Sequence, residues 1–421
     1  MNSILLRTLG VLRGPSSRVK SRLSDALVPA IGKDGVVADA RQATPAWLTE
    51  RLRDAGVLRD GRVTRIDRQQ VHASAASLTR LTPHYSRGVG PAAPRRLFLK
   101  VFAPVGSPKT AVTEYAAAGG EREAAFYSLA DHQSAACDVD IVRCFDVRTS
   151  AHGGRAHLLL EDVSETHTTS PWPLPPRTAH CYLAVEALAR LHAFWWEHRE
   201  LSGRAQTQSV FHPPTLVATT RAKFQEFAAF LGDRLSLDAA ALYERALERY
   251  HDRLVSRAQR VQDNDAVTLV HGDAHWWNFL YPRDPAGGVT YMIDWEHWRV
   301  GTPMEDVAAL LAMRLDADRQ ALQRDLLRHY HKTLVARGVA GYSWDDCWRD
   351  YVDAAMNTLF LPKWGWALGL GAQVWWPSFN YIVRNCLALE REAELAWSER
   401  ATIPGPATIP RSSGARSDAV Y

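Results

Sequence analysis

The feature that most constrains the fold is a loop and two short apolar segments between residues 271 and 294. The loop reads His-Gly-Asp-Ala-His-Trp-Trp-Asn from His271 to Asn278, and the second apolar segment leads into Asp294. The apolar segments, residues 279–281 and 289–293, are separated by a turn-rich stretch that contains two prolines and two glycines. This pattern predicts an antiparallel hairpin. Such a hairpin would hold Asn278 and Asp294 about one strand spacing, roughly 5 Å, apart.

The side chains at this hairpin are suited to phosphate chemistry. An amide oxygen and a carboxylate at strand spacing are ligands that hard cations such as Mg²⁺ accept. Asp273 precedes Asn278 by five residues and stays on the loop. There its carboxylate could accept the proton of an attacking hydroxyl while the metal neutralises charge on the phosphates. The sequence therefore predicts a phosphoryl-transfer site with Asp273 as base and Asn278 and Asp294 as metal ligands.

These residues resemble the Asp-x-x-x-x-Asn catalytic loop and the metal-binding Asp of protein-kinase-like enzymes. The leading His-Gly-Asp is similar to that of the aminoglycoside phosphotransferase and choline kinase superfamily, which includes ecdysteroid kinase-like small-molecule kinases. Eukaryotic protein kinases typically carry His-Arg-Asp and Asp-Phe-Gly, whereas this chain has His271-Gly272-Asp273 and Asp294-Trp295-Glu296. The resemblance covers residues 60–395, and its strong motif spans residues 271–306. It implies a small-molecule kinase that uses Mg²⁺ and transfers the terminal phosphate of ATP, or of GTP, to a hydroxyl of a small organic acceptor.

The resemblance also implies a fold of the α+β class. A two-lobed protein-kinase-like fold has a small N-lobe, built from an antiparallel sheet and one main helix, and a larger, mainly helical C-lobe. The local patterns agree, since strand-like segments precede residue 165 and helical patterns follow a Pro-rich connection at residues 171–176. The expected divisions are an N-terminal extension at 1–44, a nucleotide-binding N-lobe at 45–165, a C-lobe at 166–400 and a disordered tail at 401–421. Within the N-lobe we expect strands at 63–71, 77–85, 95–102, 139–147 and 156–160, and a helix at 121–131.

The N-lobe supplies four candidates for phosphate binding. Lys100 closes the apolar segment Leu-Phe-Leu-Lys-Val, and Glu123 follows on the predicted helix. An edge-strand lysine would be the simpler interpretation of Lys100 alone, but the pair resembles the kinase ion pair that orients a phosphate-binding lysine. Ser74 and Ser77 lie in the loop between the first two strands, where such enzymes cover the phosphates. This loop, residues 72–77, lacks glycine, which restricts its approach to phosphate.

The connection between the lobes is similar to the hinge of these enzymes. It reads Leu-Leu-Leu-Glu-Asp-Val at residues 158–163, and its backbone would meet the edge of the adenine. Glu161 and Asp162 are therefore candidate nucleotide-binding residues, unless they only cap the connector.

Three tryptophans and one acid are candidates for the acceptor pocket. Trp276, Trp277 and Trp295 lie inside the catalytic motifs, so we expect at least one to border an apolar or ring-bearing alcohol. Glu296 follows Asp294 by two residues and could touch metal or substrate. An exposed acid after a strand is an equally consistent interpretation of Glu296.

Composition excludes several other classes of protein. The chain has 421 residues, 46% of them hydrophobic and 23% charged, with a net charge of only +4 and no basic stripe, so no nucleic-acid partner is expected. The five cysteines are scattered without a Cys-x-x-Cys pair, which indicates a reducing, cytoplasmic setting rather than a disulfide framework or zinc site. No apolar run approaches the ~18 residues of a membrane span. The basic first 24 residues imitate a transit peptide, although a basic leader is the default, and nothing indicates the oligomeric state.

Three rival functions stay open at this point. The glycine-free loop is compatible with a nucleotide-binding pseudokinase or regulatory module. The alternation of His271, Asp273 and His275 could imitate the metal cluster of a metal-dependent phosphoesterase, although the further Asp-x-His and Gly-Asn-His elements of such enzymes are missing. A protein kinase is disfavoured because no extended activation segment or Ala-Pro-Glu follows Asp294.

Overall fold

The computed structural model describes residues 31–402 except 74–75, 103–110, 133–138, 151–153, 172–175, 202–212, 285–287, 316–319, 368 and 370. Most of the N-terminal extension, nearly all of the tail, Ser74 and most of the Pro-rich connection lie outside the described residues, so the expectations for them stay predictions. In the described part of the chain, no helix combines the length and the apolar character that a membrane crossing requires.

The N-lobe is a five-stranded antiparallel sheet with a helix on each face. Its strands are β1 (Val63–Ala73), β2 (Ala76–Tyr85), β3 (Leu97–Phe102), β4 (Cys144–Thr149) and β5 (Ala156–Glu161), in the order β1-β2-β3-β5-β4. Helix α1 (Pro45–Asp54) begins at Thr44, whose side chain accepts the Trp47 amide. Helix α2 (Ala111–His132) is the main helix. It begins ten residues before the predicted start at residue 121 because the preceding alanine-rich turns continue the helix.

The alternation of side chains along β3 explains where Lys100 points. Leu97, Leu99 and Val101 are buried in the cluster that contains α1. Phe102 is buried in the other cluster, with α2 and the C-lobe. Because successive side chains of a strand face opposite sides of the sheet, Lys100 shares the side of Phe102 and faces α2.

The C-lobe is mainly helical. Its helices are α3 (Thr178–Phe194), α4 (Pro213–Leu231), α5 (Leu237–Glu248), α6 (Tyr250–Asp263), α7 (Met304–Leu311), α8 (Gln320–Ala336), α9 (Trp344–Thr358), α10 (Leu361–Ala367) and α11 (Ala372–Thr402). Its short strands are β6 (His167–Thr168), β7 (Thr268–Val270), β8 (Phe279–Pro282), β9 (Tyr291–Met292) and β10 (Arg299–Gly301). The predicted α+β fold with two lobes is confirmed.

Two small antiparallel ladders carry the 271–278 and 293–298 segments. Strands β8 and β9 pair antiparallel with Phe279 opposite Met292, and the Ile293 amide donates to the Asn278 carbonyl at 3.0 Å. The predicted hairpin is therefore confirmed. Strand β10 pairs with β7, with Arg299 opposite Val270. The 271–278 loop and the 293–298 segment leave these ladders side by side. The predicted strand at 139–147 begins only at Cys144, and Ile141 instead forms an isolated bridge with Met292.

Candidate active site

Lys100 contacts an acid from each lobe, at the cleft between the two lobes. Its ammonium donates to Glu123 Oε2 at 2.6 Å and to Asp294 Oδ1 at 2.7 Å. Only 14% of the Lys100 side chain is exposed, so both contacts lie in a region of weak screening. The contact between Lys100 and Glu123 is the predicted one. Asp294 comes to the same ammonium from 194 residues further along the chain.

The negative charges around Lys100 outnumber its own positive charge. Burial lowers the pKa of Lys100, but the carboxylates of Asp294, Glu123 and Glu296 outweigh it, so the pKa is raised. Burial raises the pKa of Glu123 to about 7, and Asp294 and Glu296 act in the same direction, although Lys100 opposes them. Three carboxylates thus surround one ammonium, and a divalent cation would relieve the excess negative charge.

Asp294 is held in an unusual backbone conformation. Its φ of 75° lies in the left-handed region, which few residues other than glycine adopt and which aspartate tolerates better than most. Such a conformation persists where the surroundings fix it. Here the hairpin on one side and the contact with Lys100 on the other fix the carboxylate toward the cleft.

The catalytic loop needs glycine at its second position. Gly272 has a φ of 77°, and a Cβ there would lie 2.2 Å from the His297 carbonyl oxygen. The segment after Asp294 therefore packs directly on the loop backbone. His271 braces the same contact, since its Nε2 lies 3.0 Å from the Ile293 carbonyl and its Nδ1 accepts the Asp273 amide at 3.3 Å. With Nδ1 as the acceptor, the Nε2–H of His271 is the donor to the Ile293 carbonyl.

The carboxylate of Asp306 binds the backbone of the 271–278 loop, a contact that the sequence did not reveal. Its carboxylate accepts the amides of His271 at 2.6 Å and Gly272 at 2.8 Å. The Nε2 of His192 lies 3.2 Å from the same carboxylate. Asp306 is only 1% exposed. Asp306 lies in the first turn of α7, where an acid also interacts favourably with the helix dipole, but the residues it holds are 34 and 35 positions earlier.

Asn278 has a free acceptor where a metal ligand is expected. Its amide nitrogen donates to the Asp273 carbonyl at 3.0 Å, which fixes the orientation of the side chain. Its Oδ1 is buried and has no hydrogen-bond partner among the described residues. A buried acceptor without a partner is costly. Magnesium takes one or two protein oxygens together with phosphate oxygens, so Asn278 and Asp294 fit this cation.

Two of the three tryptophans proposed for the acceptor pocket lie in the core, which corrects the assignment of these two. The expectation that at least one of the three borders the acceptor now depends on Trp277. Trp276 and Trp295 are fully buried. The indole of Trp276 donates to the Arg314 carbonyl at 3.1 Å, and that of Trp295 donates to the Met292 carbonyl at 3.2 Å. Trp295 also stacks on Phe126 of α2, with 3.7 Å between the ring centres. Both residues belong to the motifs singled out in the sequence, but their side chains are buried and bonded to backbone carbonyls.

Trp277 and Glu296 stay candidates for the cleft. Trp277 is half-buried beside His275. The guanidinium carbon of Arg314 lies over the Trp277 ring, 5.7 Å from the centre of that ring. Glu296 is 7% exposed and contributes to the charge around Lys100, so the interpretation of Glu296 as an exposed acid is wrong.

The hinge residues are engaged within the protein. The Asp162 carboxylate accepts Arg80 Nε at 2.6 Å and the Ser164 amide at 2.9 Å, so it braces the connector instead of facing a nucleotide. The amides of Glu161 and Asp162 donate to the carbonyls of Arg143 and Arg96. Their N–H groups are therefore not available to adenine, which corrects this part of the hinge expectation.

The hydroxyl of Ser77, at the start of β2, accepts from Gln70 at 3.0 Å. Its proposed contact with phosphate stays a prediction.

Helix α2 is fastened to the segment that follows Asp294. Arg122 Nε donates to the Glu296 carbonyl at 2.7 Å, and the Trp298 indole donates to the Arg122 carbonyl at 2.6 Å. The His271 ring lies 4.6 Å from the Trp295 ring, which in turn stacks on Phe126. We call Phe126, Trp295 and His271 the aromatic column. It connects the helix that carries Glu123 to the catalytic loop.

The metal cluster of a phosphoesterase is not formed. Within the described ranges, no group of three or more His, Cys, Asp or Glu side chains is placed to hold a metal ion. Both ring nitrogens of His271 are engaged with the backbone. The alternation of His271, Asp273 and His275 in the sequence therefore does not converge on one metal.

The fold and the site together define a kinase that acts on small molecules. The model of the ecdysteroid kinase-like family matches residues 121–338, which are 218 of the 421 residues. The chain belongs to the ecdysteroid kinase-like family. No curated protein matches the sequence.

Several solved structures are similar to this chain. A protein of Ralstonia eutropha assigned as an aminoglycoside phosphotransferase is 16% identical, with 82% of this chain and 97% of that chain covered and a TM-score of 0.49. A choline/ethanolamine kinase family protein from Mesorhizobium loti is 17% identical, with 78% and 90% covered and a TM-score of 0.41. An aminoglycoside phosphotransferase from Alicyclobacillus acidocaldarius is 15% identical, with 79% and 94% covered and a TM-score of 0.44.

Proposed function

We propose that this protein transfers the γ-phosphoryl group of ATP, with Mg²⁺, to a hydroxyl of a small organic molecule. The observation that carries the proposal is the contact of Lys100 with both Glu123 and Asp294. It brings a phosphate-binding cation from the N-lobe to a metal-binding carboxylate from the C-lobe, beside the loop that holds Asp273. Phosphoryl transfer requires these parts in one cleft.

Each residue has a role that follows from its position. Lys100, steadied by Glu123, would hold phosphate oxygens as a point charge. Asn278 and Asp294 would hold magnesium, which when bound neutralises charge on the phosphates. Asp273, whose backbone is fixed by Asn278 and His271, would orient the acceptor hydroxyl and accept its proton.

The reaction balances without a further reactant. The acceptor oxygen forms a bond to the γ-phosphorus, and the bond from that phosphorus to the bridging oxygen of ADP breaks. The hydroxyl proton passes to Asp273 and the electron pair leaves with ADP. Because no covalent enzyme intermediate is needed, the residues of the site position the reactants, offset charge and accept one proton.

The nucleotide site is tested by thermal stability. We would measure the wild type and Asp294→Ala with ATP, with and without magnesium. Nucleotide at a hundredfold excess over its dissociation constant adds about 2.7 kcal/mol of stability. We expect this gain in the wild type only with magnesium, and its loss in Asp294→Ala. Asp325→Ala, an exposed acid of α8, is the control and should behave as wild type. Equal stabilisation of Asp294→Ala would refute the assigned role.

The base is tested by turnover. Asp273→Ala should lower kcat by roughly 10² to 10⁴ while magnesium-dependent binding of ATP persists. Unchanged turnover would remove Asp273 from the role of base. Magnesium-dependent binding of ATP without transfer to any acceptor would instead indicate a nucleotide-binding module, the function that the glycine-free β1–β2 turn is compatible with.

A further inference from the structure

Arg314 lies beside the proposed base and takes no part in the mechanism above. It follows α7, and its backbone is fastened from two directions. The Trp276 indole of the catalytic loop donates to the Arg314 carbonyl at 3.1 Å. Asn385 of α11 donates to the carbonyls of Ala312 at 2.8 Å and Leu315 at 3.1 Å. The start of the Arg314 side chain is therefore fixed relative to the loop that carries Asp273.

One nitrogen of the Arg314 side chain has a hydrogen-bond partner and another has none within the described part of the chain. Its Nη1 donates to Ser378 Oγ at 3.1 Å, and its carbon lies 5.7 Å from the ring centre of Trp277, within the range of a cation–π contact. Its Nε is buried and has no hydrogen-bond partner among the described residues. A buried donor without a partner costs free energy unless a ligand satisfies it.

The charge of Arg314 is not cancelled by an ion pair. No carboxylate of the described residues lies within ion-pair distance of it, and the acid whose charge acts on it is Asp273. Burial lowers the pKa of Arg314 to about 10, and Asp273 opposes this, so the guanidinium is charged at neutral pH. Arg324 shows the contrast, since it lies over the Trp348 ring at 4.8 Å but also pairs with Glu392.

We propose that Arg314 selects the acceptor. Its guanidinium binds an oxygen of a neutral or anionic hydroxyl compound, the face of Trp277 receives an apolar part of the same molecule, and polycationic amino alcohols are repelled. The inference rests on the proposed function, because it concerns the acceptor half of that same site. A guanidinium fork matches a carboxylate or a pair of oxygens, whereas a second cation beside it would cost free energy through like-charge repulsion.

The test uses acceptor series that share a skeleton and differ in charge. One series is glucuronate, glucose and glucosamine, and the other is cholate, its methyl ester and its cationic aminoethyl amide. ADP release with ATP and magnesium is measured for the wild type, Arg314→Met, Arg314→Lys and Arg324→Met. We expect the wild type to prefer the anionic or neutral member over the cationic member by at least about tenfold in kcat/KM. Arg314→Met should lose this preference mainly through KM, and Arg314→Lys should retain it because the charge remains.

The control and the outcomes separate selection from structural damage. Arg324→Met removes an arginine from a comparable tryptophan contact outside the cleft and should keep the wild-type preference. A wild type that prefers the cationic members, or an Arg314→Met variant that keeps the original order, overturns the inference. Stabilisation by ATP and magnesium without turnover of any member also overturns it, and leaves the nucleotide site standing. Absence of that stabilisation is a failure of the proposed function itself.

Discussion

Asp306 should be the side chain on which the shape of the catalytic loop depends most. Its two oxygens receive three donors, the amides of His271 and Gly272 and the imidazole of His192, in a place that is 1% exposed. Asp306→Asn retains one acceptor oxygen, and its new NH₂ group must face at least one of these donors. A buried donor that loses its partner costs about 1–3 kcal/mol, and a bond to a charged acceptor contributes roughly 1.5–3 kcal/mol.

We therefore expect Asp306→Asn to lose roughly 2–4 kcal/mol of stability. Asp306→Ala, which strands all three donors, should lose more. Urea unfolding followed by circular dichroism gives the free energy, and hydrogen exchange at the Gly272 amide gives the local effect, since that N–H loses its acceptor. Asp325→Ala should stay within about 0.5 kcal/mol of the wild type, as an exposed acid does. An Asp306→Asn variant with equally small loss and a protected Gly272 amide would refute the reasoning.

Three further predictions concern single residues. Gly272→Ala should cost more than about 2 kcal/mol, and Gly338→Ala, also at positive φ but with open space around it, should cost less in the same urea titration. The folded-state pKa of Glu123, about 7, exceeds the ordinary 4.5, so the folded protein binds this proton more tightly than the unfolded chain does. The free energy of unfolding should therefore fall as the pH rises from 5 to 7. Glu123→Gln should reduce this dependence on pH. Lys363 is fully buried, and burial lowers its pKa from 10.5 to about 7, so the wild type should gain stability as pH rises from 7 to 10, whereas Lys363→Met should not.

Local patterns explain what could be predicted from the sequence. The β8–β9 hairpin follows from two apolar segments and a turn between them, so the proximity of Asn278 and Asp294 could be inferred without a structure. The contact of Lys100 with Glu123 followed from a family resemblance on a strand and a helix that are close in the sequence. The direction of Lys100 depends only on the alternation of β3.

Long-range packing explains what could not be predicted. Trp276 and Trp295 share motifs with the site residues, but the side to which an indole points depends on helices that a motif does not contain. The partners of Asp306 and Arg314 lie 34 to 114 residues away in the sequence. An acid in a first helical turn already has a sufficient local explanation. The assignment of the Asp162 side chain to the nucleotide was wrong for a similar reason, since Arg80 reaches Asp162 from 82 residues before it.

The aromatic column limits how this enzyme could be inhibited. One way to block this site would be a compound that fills the space vacated by an outward movement of the residue after Asp294. Here that residue is Trp295, which is stacked on Phe126 at 3.7 Å and bonded through its indole to the Met292 carbonyl. A compound of that kind would have to separate the stack and break a buried hydrogen bond before gaining any contact. Inhibitors should therefore be sought among molecules that enter the cleft with the 294–298 segment in place.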